Sequence, residues 1–99
     1  MNLYIYQMEN FKILDGYLDE EGKLKSMPGK RQKKKLEAML LYLASKFESD
    51  KEYSEMEVNE IINAQTTFKD PATMRRLMWG SGLLRRTLDG TSYWKESQT

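Results

Sequence analysis

Apolar positions in the first part of the chain recur at helical spacing. Met8, Phe11, Leu14 and Leu18 are three or four residues apart, the pattern of an amphipathic helix, although Gly16 costs such a helix about 1 kcal/mol relative to Ala. The preceding Leu3-Tyr4-Ile5-Tyr6 fits an edge strand, an arm or the first turn of that helix. Asp19-Glu20-Glu21-Gly22 is a polar turn, and Lys23 to Met27 is a short extended piece stopped by Pro28 and Gly29. Leu36, Met39, Leu40, Leu43 and Phe47 then fall on one stripe, which predicts a central core helix from about Lys30 to Phe47.

Two start signals follow. Ser54 and Glu57 have the spacing of a capping box, in which hydroxyl and carboxylate satisfy each other's free backbone amides, and Val58, Ile61 and Ile62 give that helix a buried face. Asp70 before Pro71 places an acceptor at the N-cap and a preset φ at the first helical position. The third helix is expected to run to about Gly80, with Met74 and Met78 on its buried face. Leu84 to Leu88 and Thr91 to Lys95 flank Asp89-Gly90, the signal of a two-residue hairpin, because both turn residues tolerate positive φ. Helix, short strand, helix, helix and hairpin is the element order of a winged helix-turn-helix, with Tyr53 as the short third strand. The expected fold is a small α+β, winged-helix-like domain: three core helices, a C-terminal β-hairpin wing and an extra N-terminal helix. Residues 1–22 form the packed N-terminal segment, 23–95 the domain and 96–99 a frayed tail.

Ninety-nine residues bury one core and leave no second lobe to enclose a substrate cleft. Cysteine and histidine are both absent, which removes disulfides, thiolate and imidazole metal ligands and the commonest general base. No nucleophile, base and orienting group can be assembled, and there is no glycine-rich phosphate loop. An enzyme, a cofactor, a metal site and a small-molecule substrate are therefore not expected. The acidic turn at Asp19-Glu20-Glu21 lacks the spaced ligands and central glycine of a calcium loop. No apolar run approaches a bilayer span and the start of the chain has no secretory signal pattern, so a cytoplasmic location is expected, with no membrane partner.

Charge is balanced in total, sixteen cations against fifteen anions, but not in distribution. Lys23, Lys25, Lys30, Arg31, Lys33, Lys34 and Lys35 form a run without an anion. Glu48, Asp50, Glu52, Glu55, Glu57 and Glu60 form an acidic stretch interrupted only by Lys51, and Arg75, Arg76, Arg85 and Arg86 restore basic character afterwards.

The residues also resemble a known family. Gly22-Lys23-Leu24-Lys25 with Pro28, Lys30 and Lys33, the run Leu40 to Phe47, Tyr53-Ser54-Glu55 with Glu57 to Ile61, Asp70 with Arg75-Arg76, and Gly82-Leu83-Leu84 with Arg86 and Tyr93-Trp94 together resemble the bacterial domain of unknown function 2087. That family occurs alone or attached to helix-turn-helix transcriptional regulators. Its relatives often carry a histidine before the Asp70 position, where this chain reads Thr66-Thr67-Phe68-Lys69, so no imidazole role extends to it.

The expected function is a winged-helix-like module of bacterial transcriptional regulation that binds double-stranded DNA without catalysis. The third helix would enter the major groove with Thr73, Arg76 and Lys69, the hairpin would bring Arg85 and Arg86, and Lys30, Lys33 and Lys34 would contact phosphates. Arg75 is the better candidate for an ion pair with the acidic second helix. Against DNA, that helix would bring Glu55, Glu57 and Glu60 towards the phosphate backbone. The alternative is a protein-interaction or homodimerisation module that uses those three glutamates and the apolar N-terminal segment. Trp79, Tyr93 and Trp94 are expected in the core rather than stacked on bases, with one of the two adjacent hairpin aromatics buried. The seven methionines are read as gap-filling core residues.

Overall fold

The computed structural model describes residues 11–97. Helix α1 spans Lys33–Ala44, α2 Glu55–Gln65 and α3 Pro71–Gly80, and strands β1 (Arg85–Arg86) and β2 (Tyr93–Trp94) close the chain as an antiparallel pair. The protein is a small α+β domain with the element order of a winged helix. Tyr53 supplies the third strand: its N–H donates to the Tyr93 carbonyl and its carbonyl accepts from the Tyr93 N–H, both at 2.8 Å.

Both helix-start signals act as the sequence implies. Ser54 Oγ accepts from the Glu57 N–H at 3.1 Å, and Glu57 Oε1 accepts from the Ser54 N–H at 2.9 Å, the two halves of a capping box. Asp70 accepts from the Thr73 N–H at 3.3 Å, with Pro71 opening α3. Val58 and Ile62 of α2 meet Met74 and Met78 of α3, and all four are fully buried. With Met39 and Leu43 of α1 they form the centre of the core, closed by Leu14, Leu24 and Leu84.

Three expectations about the elements are corrected. The helix through Leu18 does not form among the described residues: after Phe11 and Lys12 the chain makes successive turns, and Gly16 takes φ +90. Leu18 instead bridges Leu24, which itself bridges Thr66 after α2, so long-range pairing overrides a local helical spacing. Met8 and Leu3 to Tyr6 lie outside the described residues. Helix α1 is shorter than its apolar stripe: it begins at Lys33, and beyond Ala44 the N–H groups of Lys46 and Phe47 bond three residues back. That tighter turn still delivers Phe47 to the core, edge-on to Tyr53 at 5.2 Å.

The hairpin keeps the register that Asp89-Gly90 implies, Arg86 facing Tyr93, but its turn is longer. The closing bonds are Gly90 N–H to the Thr87 carbonyl and Thr87 N–H to the Ser92 carbonyl, and only Gly90 of the turn pair has positive φ, +72. Asp89 is held out of the left-handed region by its side chain, whose Oδ1 accepts from the Thr87 and Thr91 hydroxyls at 2.8 Å each and from the Thr91 N–H at 3.1 Å. Lys95, just beyond β2, donates to the Ala44 carbonyl at 2.9 Å and so caps the C-terminus of α1, with burial lowering its pKa.

Candidate nucleic-acid interface

With Met74 and Met78 fixing the inner face of α3, helical geometry turns the remaining side chains by known amounts. Arg76 and Trp79, three residues apart, are exposed together, and Thr73 is half-buried one turn earlier. Lys69, exposed before the helix, has left-handed φ +47, which turns the chain into the Asp70 cap.

Arg75 and Arg76 part company. Arg75 points inward: its guanidinium lies 3.0 Å from Glu55 and donates to the Asn59 side-chain Oδ1, both on α2, and it sits 6.0 Å from the Tyr93 ring centroid. Its side chain is only 12% exposed, so it binds α2, α3 and β2 together and is not offered to a partner. Arg76 is left as the outward cation of α3.

The hairpin arginines also separate, because successive strand residues face opposite ways. Arg85 is exposed and pairs with Glu96 at 2.9 Å. Arg86 turns towards α3, where its guanidinium lies 4.2 Å from the Trp79 ring centroid. Trp79, Gly82, Leu84, Arg85 and Arg86 line an open depression of about 300 Å³ between α3 and the hairpin. Trp79 therefore does not join the core as expected: it is 46% exposed and carries a guanidinium on its face. Its spacing one residue past Met78 was the available signal, since that rotates it off the buried stripe. Tyr93 is buried and Trp94 half-buried, as alternation requires.

Lys30, Lys33 and Lys34 are exposed around the start of α1, whose N-cap Gln32 provides no side-chain bond and whose first turn holds no acid. Among the described residues no hydrogen bond, ion pair or cation–π contact joins these three lysines to α3 or the hairpin.

Of the acidic residues on α2, Glu55 faces Arg75 and Glu57 is occupied by the capping box, whose hydrogen bonds from the Ser54 backbone and hydroxyl lower its carboxyl pKa. Glu60 is exposed. Among the described residues no group of three metal-ligating side chains comes together, and no helix is long and apolar enough to cross a membrane.

No curated protein and no solved structure matches the chain. A family described as uncharacterized proteins conserved in bacteria (DUF2087) matches over residues 23–95, from the extended piece before α1 to the end of the hairpin. The chain belongs to this bacterial family, domain of unknown function 2087.

Proposed function

We propose that the protein is a winged-helix-like module of bacterial transcriptional regulation that binds double-stranded DNA and carries out no catalysis. The observation that carries this reading is the division of labour on α3: Arg75 is withdrawn into an ion pair with α2 while Arg76 stands outward beside Trp79. A helix whose inner face is fixed by methionines and whose outer face offers one guanidinium unpaired among the described residues suits the major groove, where Arg reads guanine through two acceptors. Thr73 and Lys69 at the start of α3 lie where recognition helices meet base edges and phosphates. Arg85 on the hairpin and Lys30, Lys33 and Lys34 at the start of α1 add phosphate contacts.

The acidic second helix weighs less against DNA than its composition implies, because Glu55 is compensated by Arg75 and Glu57 turns back to its own N-cap. The test is a mobility-shift titration with several duplexes, including the promoter of the protein's own gene, comparing the wild type with Arg76→Ala. Loss of discrimination between duplexes is expected for Arg76→Ala. Equal binding and equal discrimination by both proteins would remove α3 from the interface.

A further inference from the structure

Arg86 and Trp79 meet across the junction between the hairpin and α3, beside the backbone bonds that the Leu83 and Leu84 N–H groups donate to the Met78 carbonyl. Only two residue pairs form the β1–β2 ladder, with Tyr53 bridging Tyr93 at its other edge, and so short a sheet depends on side-chain packing for its orientation. Arg86 faces Tyr93 directly, so the two side chains share one face of the hairpin, and Tyr93 is buried. The Arg86 side chain is thereby directed inward, where its guanidinium lies on Trp79. At the other edge that guanidinium passes Gly90 so closely that a Cβ there would sit 2.9 Å from its Nη1. Gly90 thus serves twice, adopting φ +72 in the turn and leaving room for Arg86. Among the described residues no carboxylate pairs with Arg86, in contrast to Arg85 and Arg75.

We infer that Arg86 is a positioning residue of the duplex-binding surface: its stack on Trp79 fixes the hairpin against α3, so that Arg76 and Arg85 engage one duplex together, and it neutralises no phosphate itself. This rests on the DNA-binding reading. A planar guanidinium stacks on an indole face where a lysine ammonium does not reproduce the geometry, so charge and stacking can be separated by substitution.

The full-length protein, its Arg86→Lys and Arg86→Ala variants and Arg85→Ala are titrated with one mixed-sequence linear DNA duplex over a range of salt. Arg86→Lys is expected to bind about fivefold more weakly, like Arg86→Ala, with the salt slope of the wild type. Arg85→Ala is expected to flatten the slope by about one unit. In a Trp94→Phe background, Trp79 emission is expected to shift in both Arg86 variants before DNA is added. Trp79→Leu should reproduce the loss, and adding Arg86→Lys to it should cost nothing more. Wild-type binding by Arg86→Lys together with a slope flattened by one unit in Arg86→Ala would make Arg86 a phosphate contact and overturn the inference alone, as would additive losses in the double variant. A wild-type protein that binds no duplex would overturn the DNA-binding reading and this inference with it.

Discussion

Arg75 of α3 and Glu55 of α2 form an ion pair at 3.0 Å that crosses between the two helices, while the neighbouring Arg76 faces outward. One residue step along α3 separates a structural guanidinium from the one proposed to read DNA. Removing Arg75 strips Asn59 and Glu55 of their partner and uncovers the Tyr93 ring, whereas Glu55 is itself half-exposed and can rehydrate. Arg75→Ala is expected to destabilise the fold by about 1–3 kcal/mol and Glu55→Gln by under about 1 kcal/mol, measured by urea unfolding. Equal effects would mean that the pair, and not the burial of Arg75, holds α2 to α3.

The central helix gives a stronger test of the core. Leu43 is fully buried and Leu40 nearly so. Leu43→Ala is expected to cost about 2–5 kcal/mol in the same unfolding measurement. A loss under about 1 kcal/mol at both positions would contradict the packing of α1 described above.

Helix capping can be tested at two independent sites. Asp70→Ala removes the acceptor for the Thr73 N–H, and Ser54→Ala breaks the hydroxyl half of the capping box. Each is expected to lower stability by about 1 kcal/mol, with additive effects in the double variant because they begin different helices. If Asp70→Ala leaves thermal stability intact and abolishes DNA binding, Asp70 belongs to the interface and not to the cap.

The Asp89 carboxyl carries a pH dependence of definite sign. Hydrogen bonds from Thr87, then Thr91, hold its pKa below the ordinary 3.8. A carboxylate whose folded pKa is depressed contributes stability above its unfolded pKa and loses it as pH falls through the folded value. Acidification below the ordinary value should therefore loosen the Thr87–Thr91 turn, with Asp89 titrating late when followed by carboxyl NMR. An Asp89 that titrates at or above 3.8 would show that the threonines do not hold its charged form in solution.

What the sequence made legible were features whose cause is local. Ser54 with Glu57 and Asp70 with Pro71 each complete their hydrogen bonds within one helical turn, so spacing alone identifies the start of α2 and α3. The Asp89-Gly90 register was legible for the same reason, but the turn type was not, because Asp89 bonds to the two threonines around it instead of adopting positive φ. Leu18 was misread because its spacing from Leu14 suits a helix, and the decision belongs to Leu24 and Thr66, distant in the chain. At the candidate interface, the charge pattern supported Arg75 as the partner of the acidic helix. The exposure of Trp79 was legible in its position one residue past Met78, but its contact with Arg86 was not, since that depends on the hairpin folding back to α3.

The most direct test of DNA binding is its salt dependence. If Lys30, Lys33, Lys34, Lys69, Arg76 and Arg85 all neutralise phosphates, about six counterions are released at most, and log affinity should fall with log salt at a slope approaching about −5. Folded wild-type protein titrated with duplexes that include its own promoter should give that steep slope, flattened by about one unit for each phosphate-contacting cation removed. Folded protein that shifts no duplex at near-physiological salt up to about 100 μM, the weak end of nonspecific DNA affinity, would contradict DNA binding and favour a protein-interaction role.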